Sequence, residues 1–213
     1  MVLKDTQYLV IEGPIGVGKT SLAQLLAQEL KVRLILEKVE ENPFLKEFYK
    51  DPKHYGFQTQ IFFLLSRYRQ LQELRQIDLF ERSTLTDYFF PKDRIFASIN
   101  LEGSELALYE QLYTLLNPQV PTPDLVIYLQ ASTEVLMERI RHRALEFERS
   151  LMWEYLEAVN QVYNNYFFKY SDSPLLVVQT SEIDFVNRRA DLNDLVKQVK
   201  QMKKGTQYYV PKK

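Results

Sequence analysis

The stretch Gly13-Pro14-Ile15-Gly16-Val17-Gly18-Lys19-Thr20 constrains this chain more than any other. It fills every fixed position of the phosphate-loop pattern G-x-x-x-x-G-K-[ST]. Its flanks give the match its meaning. Tyr8-Leu9-Val10-Ile11 is a short β-branched and aromatic run that reads as a buried strand. Leu22, Leu25, Leu26 and Leu30 recur at helical spacing and predict a helix over about 19–30. The glycines therefore fall on a turn between a strand and a helix start, where backbone N–H groups lack partners and the helix dipole is positive. Such a turn binds phosphate oxygens. Gly13, Gly16 and Gly18 allow backbone shapes and close approach that a Cβ would block. Lys19 would reach the outer phosphates and the Thr20 hydroxyl would bind Mg²⁺, with Val17 and Ser21 completing the nucleotide-binding turn.

The next apolar run, Val32 to Leu36, ends at Glu37. Strand, loop, helix and strand in that order predict a parallel sheet, in which ligands bind beyond the C-terminal strand ends. A carboxylate at such an end is poorly explained by packing, since Glu is seldom buried without a partner. Further strands are predicted at Ile77–Phe80, Leu125–Leu129 and Leu175–Gln179, making an α/β fold with a five-stranded parallel sheet flanked by helices. Glu81-Arg82-Ser83 follows the Ile77–Phe80 strand directly. A long helix is expected over about 57–76, with Gln60 and Arg67 two turns apart and so on one face. Shorter helices are expected at 95–99, 105–116, 133–142 with Ser132 as N-cap, up to about Tyr166, and 191–203. Pro91-Lys92-Asp93 reads as a break, and Gly205 onward as a tail over about 204–213. Phe57 and Phe90 are the aromatics considered for stacking on a base.

With 213 residues and no linker or repeat, one domain spanning residues 1–213 is the expectation. Lysine and arginine number 27 against 28 acidic residues, so no basic field argues for nucleic acid or an anionic membrane as a partner. There is no cysteine, which excludes disulfides, thiolate metal sites and a cysteine nucleophile. Asp5, Thr6 and Gln7 interrupt any apolar leader, and no stretch reaches the roughly 20 apolar residues of a membrane span. A cytoplasmic protein is expected.

Two acidic strand ends, Glu37 and Glu81, are expected beside the phosphate loop. A carboxylate there is repelled by phosphate unless it holds metal or takes a proton, and phosphoryl transfer needs both tasks done. At this point the chain resembles the deoxynucleoside kinase family over about residues 8–185. The resemblance rests on Gly13–Thr20, Glu37-Lys38-Val39, Asn42-Pro43-Phe44, Gln60, Arg67, Glu81-Arg82-Ser83 with Asp87, Ile95-Phe96-Ala97, Pro123-Asp124 and the arginine run ending at Glu148. It implies ATP-dependent phosphorylation of a deoxynucleoside 5′-hydroxyl in nucleotide salvage. Glu37 would be the general base, Glu81 with Thr20 would hold Mg²⁺, and Arg82 would steady the 5′-oxygen and the transferred phosphate. Tyr49 and Glu148 would bind the 3′-hydroxyl, while Gln60, Arg67 and Asp87 would read the base. Arg139 and Arg143 would lie in a lid of about 139–149 over the ATP phosphates. A homodimer through the helices at 57–76 and 105–116 is implied as well.

The chain departs from that family in three places. Lys38 replaces a proline, Ala144-Leu145 replaces Gly-Arg in the lid, and Tyr88–Pro91 are extra residues. The Asp87 carboxylate suits an amino group, as on adenine or cytosine, and opposes the thymine O4 acceptor; purines are the first choice because the Asn42-Pro43-Phe44 context resembles the bacterial purine kinases. Two other readings are a nucleoside monophosphate kinase of thymidylate kinase type and a nucleotide-binding subunit without catalysis. The Glu37 carboxylate argues against a phosphate-bearing acceptor, and a mere binder needs no base.

Overall fold

The computed structural model describes residues 8–76 and 83–211. Strand β1, Tyr8–Glu12, is buried along its whole length and runs straight into the phosphate loop. Helix α1, Lys19–Leu30, follows with the predicted bounds. The other strands are β2 (Arg33–Ile35), β3 (Thr84–Thr86), β4 (Leu125–Gln130), β5 (Leu175–Gln179) and β6 (Thr206–Tyr209). All pair in parallel, in the order β2-β3-β1-β4-β5-β6.

The sheet therefore has six strands among the described residues, where five were expected. Residues 206–209, read as part of a tail, form the sixth, at the edge beside β5. Their exposure alternates along the strand, and polar Thr206 and Gln207 hide it from an apolar-run search. The expected strand at Ile77–Phe80 lies outside the described residues. The strand that fills the place between β1 and β2 is Thr84–Thr86, fully buried but flanked by threonines. The Thr86 hydroxyl donates to the Tyr88 carbonyl at 2.8 Å, so burying it leaves no orphan.

Successive residues of a strand face opposite sides of the sheet, and the core divides accordingly. Leu9, Ile11, Ile127, Leu129 and Val178 pack under α1 and under α8, Arg189–Gln201. Tyr8, Val10, Val126, Tyr128 and Val177 pack on the other face with an aromatic set. That face is covered by α3 (Pro52–Gln76), α4 (Lys92–Asn100), α5 (Gly103–Leu116) and α7 (Trp153–Phe168). Short α2, Leu45–Lys50, and α6, Thr133–Arg143, complete the helices. Ser132 caps α6 as expected, its hydroxyl accepting from the Val135 amide at 3.5 Å. Helix α3 begins five residues before its apolar stripe suggested, because Pro52 opens it rather than forming a loop: the missing N–H costs nothing in a first turn. No helix among the described residues is long and apolar enough to cross a membrane.

Candidate active site

The turn from β1 to α1 is built as the glycine spacing demands. Gly16 has φ +83°, and a Cβ there would stand 2.6 Å from Ile140 Cγ1 and 2.8 Å from the Leu136 carbonyl. At Gly13 a Cβ would meet the Leu129 carbonyl at 2.5 Å. Gly18 caps the helix in the left-handed region. Lys19 folds back over the loop, its Nζ donating to the Gly13 and Pro14 carbonyls at 2.7 and 3.1 Å. Burial first, and then the charge of Lys92, draw its ammonium down to about 8.

One open cavity of about 1270 Å³ runs along the C-terminal end of the sheet. That exceeds the roughly 300–1,000 Å³ of a single small-molecule site and leaves room for two ligands. Its lining includes Gly16–Ser21, Arg139, Arg143 and the segment 181–188, together with Glu37, Tyr49, Gln60, Phe63, Arg67, Lys92, Phe96 and Glu148. Phe57 and Phe90 are not among the lining residues. Phe90 is buried, its ring stacked on Tyr113 at 5.4 Å, and Phe63 and Phe96 take the cavity wall instead.

Glu37, just beyond β2, is held from both sides. Arg67 gives its Oε1 two donors, Nε at 2.7 Å and Nη2 at 2.5 Å, and Lys92 Nζ reaches Oε2 at 2.5 Å. Burial alone would raise the carboxyl, but Arg67 and then Lys92 outweigh it and hold it at about 2. Arg67 reaches on with Nη1 to Asp93 Oδ2 and lies 4.7 Å over the Phe63 ring. Asp93 also accepts from Gln60 Nε2 at 3.1 Å and from the Tyr109 hydroxyl at 2.8 Å. Asn42 ties the Glu37 connection to α3, its Nδ2 donating to the Thr59 carbonyl at 3.2 Å.

Asp87 is not where the sequence reading put it. It was expected against Arg67 and Gln60, and that place is held by Asp93. Asp87 follows β3 directly, beside β1, so it is delivered to the phosphate loop. Its Oδ2 accepts from the Thr20 hydroxyl at 2.5 Å and its Oδ1 from the Glu37 amide at 2.7 Å. Burial pushes its carboxyl up, against the Thr20 and Glu37 hydrogen bonds. Glu81 and Arg82, expected at the metal and at the transferred phosphate, lie outside the described residues. Two frames were open in the sequence: Asp93 follows Asp87 at the spacing of six that separates Asp87 from Glu81. The described strand ends in the second frame, which also accounts for the residues Tyr88–Pro91 that looked surplus. Lys92 and Asp93, read as a loop break, are the first turn of α4.

The remaining expected residues fall around the cavity. Arg139 donates to the Val17 carbonyl at 3.1 Å and to the Thr180 hydroxyl and carbonyl at 3.1 and 2.7 Å, tying α6 to the loop and to the end of β5. Arg143, at the end of α6, pairs with buried Glu148. Tyr49 lies close enough to Glu148 for that carboxylate to raise its hydroxyl, behind the larger effects of burial and Tyr155.

Sequence reasoning missed Glu12. It is fully buried between the loop and the aromatic face. Its Oε1 accepts from the Gly13 amide at 2.8 Å and the Tyr163 hydroxyl at 3.1 Å, and its Oε2 accepts from the Phe89 amide at 2.9 Å. It thereby joins the phosphate loop to the turn carrying Asp87 and Lys92. A carboxylate as the last residue of a buried strand was the available signal. In Glu12→Gln an NH₂ must oppose one of these donors, so a loss of about 1–3 kcal/mol is expected. Thermal and urea denaturation against wild type check it.

Among the described residues no group of three His, Cys, Asp or Glu side chains could hold a metal. The hydroxyl of Thr20 beside the carboxylate of Asp87 is instead a pair of hard oxygen donors. That fits Mg²⁺, which is commonly held by one or two carboxylates plus substrate phosphates.

A family model described as deoxynucleoside kinase matches residues 9–204. The chain is 34% identical over 205 residues to a deoxyguanosine kinase of Bacillus subtilis, covering 94% of this chain and 99% of that one. It is 28% identical over 207 residues to a deoxyadenosine kinase of Lactobacillus acidophilus, covering 91% and 94%. Among solved structures, a deoxyadenosine kinase from M. mycoides with bound dCTP matches with TM-score 0.79 and 27% identity, over 92% of this chain and 100% of that one. With the phosphate loop and the Glu37 carboxylate facing one cavity, the chain belongs to the deoxynucleoside kinase family.

Proposed function

We propose that this enzyme transfers the γ-phosphoryl group of ATP to the 5′-hydroxyl of a purine deoxynucleoside, as a cytoplasmic step of nucleotide salvage, with Glu37 as general base. The observation that carries it is the ionised Glu37 carboxylate, held by Arg67 and Lys92 in the same cavity as the phosphate loop. In this reading Gly13, Gly16, Val17, Gly18, Lys19 and Ser21 cradle the donor phosphates, and Arg139 and Arg143 add charge from α6. Thr20 and Asp87 would hold Mg²⁺, which neutralises charge on the phosphate oxygens. Tyr49 and Glu148 take the 3′-hydroxyl. The volume of the cavity leaves a place for each substrate.

The base edge is read by Gln60 and Arg67, and Asp93 orients both. With Nε2 donating to the Asp93 carbonyl at 3.0 Å and carboxylate at 3.1 Å, and Oε1 accepting a long bond from Asn100 Nδ2 at 3.5 Å, Gln60 keeps an acceptor lone pair for the ligand. That acceptor suits an amino or ring N–H donor of adenine or guanine, and the spare Arg67 hydrogens suit the acceptor beside it. Thymine has no amino group, and its single Watson–Crick N–H sits between two carbonyls that would crowd the Gln60 oxygen. The purine names of the relatives support the same preference. A homodimer through α3 and α5 belongs to the proposal, supported by the exposed Leu65, Leu108 and Leu115 on those helices.

The test is kcat/KM for the four common deoxynucleosides with Mg-ATP. Deoxyadenosine or deoxyguanosine should rank first, and thymidine should fall at least ~10²-fold below it, the cost of unpaired polar groups in a closed site. A preference for thymidine refutes the base assignment.

A further inference from the structure

The family resemblance implies Arg82 as the cation at the transferred phosphate, but among the described residues a different cation stands beside Glu37. Lys92 opens α4 directly after Pro91 and is only 6% exposed. Its Nζ donates to Glu37 Oε2 at 2.5 Å and lies 5.9 Å from the Phe96 ring centroid. Its charge acts on Lys19, Glu12 and Asp87 as well as on Glu37. The ammonium thus sits among the groups that surround the phosphate-loop mouth.

As a clamp for Glu37 it is redundant. Arg67 already gives Oε1 two donors and is itself fixed by Asp93. Lys92 covers the other oxygen, the one a general base must present to its proton donor. Burying an ammonium is costly unless its partners or its task repay the desolvation. A lysine is a mobile point charge on a flexible stem, able to change partners over a few ångströms where Arg67 cannot.

We propose that Lys92 is a catalytic residue of this kinase: with both substrates bound, its ammonium leaves Glu37 Oε2 and bonds a non-bridging oxygen of the transferring phosphoryl group. The inference rests on the kinase reading above. The nucleoside O5′ forms its bond to the γ-phosphorus as the bond from that phosphorus to the β–γ bridging oxygen breaks. The leaving electron pair stays on the nucleoside diphosphate, and the O5′ proton goes to the uncovered Oε2. Nothing is oxidised or reduced. Lys92 neutralises charge where it gathers, on the equatorial oxygens. Its departure also removes one of the two cations that hold Glu37 weakly basic, so the base strengthens as the reacting complex forms.

The test compares kcat, nucleoside affinity and melting temperature in wild type, Lys92→Met, Lys92→Ala, Lys92→Arg and Arg82→Ala. Lys92→Met should lower kcat by about 10²–10³-fold, as loss of one donor to developing charge does, with nucleoside affinity measured by calorimetry largely kept. Lys92→Arg should retain more activity than Lys92→Met. Added propylammonium should restore turnover to Lys92→Ala in a saturable way. A cation needed only for packing would give lost affinity or melting temperature and no amine rescue, and that result overturns the inference. So does a drop in Arg82→Ala that equals or exceeds the drop in Lys92→Met. If Lys92→Met does not fold, the Lys92→Arg and Lys92→Ala rescue data decide alone. A wild-type protein that phosphorylates no deoxynucleoside sinks the kinase reading itself, whereas an active wild type indifferent to Lys92 sinks only this inference.

Discussion

Lys19→Ala is expected to abolish phosphoryl transfer while leaving the fold in place. The ammonium stands at the mouth of a helix N-terminus, on carbonyls of its own loop. There it would meet the outer phosphates, whose charge spreads in a loose transition state with little else to stabilise it. Losing one such donor costs about 10²–10³-fold, and losing a full charge costs at least that. The Gly13 and Pro14 carbonyls lose this donor, and both residues are buried, so a modest drop in melting temperature should accompany the loss of turnover. Initial rates with Mg-ATP and a thermal melt check both halves, and near-normal turnover in a folded variant would refute the site. The amine also sets a pH signature. Burial and Lys92 lower it to about 8, so the free enzyme loses the charged form as pH rises through that value. kcat/KM for ATP should therefore fall above about pH 8, since it reports the free enzyme. kcat should hold to higher pH, because bound phosphates favour the ammonium.

Much of this fold was legible because its signals are local. A glycine pattern between an apolar strand and a leucine-spaced helix survives any uncertainty about the rest, and α1 has the predicted bounds. The aromatic and leucine stripes of α3, α5 and α7 were read for the same reason. What was not read is the short strand between β1 and β2. Ile77–Phe80 looks more like a strand than Thr84-Leu85-Thr86, whose threonines satisfy no apolar pattern; the Thr86 hydroxyl is buried against the Tyr8 hydroxyl and the Tyr88 carbonyl. Strand propensity over three residues is weak beside such context. The consequence ran straight into the site. With the strand beside β1 read at Ile77–Phe80, Asp87 was sent to the base and Lys92 and Asp93 were left in a loop, whereas Thr84–Thr86 pairs with β1 and delivers Asp87 to the phosphate loop. β6 was missed for a related reason: an exposed edge strand buries only every second residue, and Gly205 looked like the start of a tail. Glu12 was missed because a glutamate that ends a buried strand reads as the first residue of the following loop until its buried partners are seen.

Glu37→Gln is the other change expected to be severe, and it separates the base from the metal site. The substitution keeps shape and one acceptor, so Arg67 can still bond Oε1 while Asp93 holds its far side. Nucleoside binding should survive. The amide cannot take the O5′ proton, and turnover should fall by about two to four orders of magnitude, the usual worth of a positioned base. A carboxyl held at about 2 is a weak base in the empty enzyme. It suffices because the hydroxyl becomes strongly acidic as its oxygen bonds phosphorus, so the proton leaves late. Its sign also matters. A pKa below the ordinary value keeps the carboxylate charged throughout pH 5–9, and the wild-type kcat/KM profile should show no acid limb from Glu37 in that range. Asp87→Asn should behave differently, because that carboxylate shares the Thr20 hydroxyl and lies on the phosphate-loop side. Its expected defect is a higher Mg²⁺ requirement, with turnover recovering as Mg²⁺ is raised. Titrating both variants with Mg²⁺ at fixed ATP decides between the roles. Recovery of Glu37→Gln at high Mg²⁺, with Asp87→Asn unmoved, would reverse the assignment of base and metal ligand.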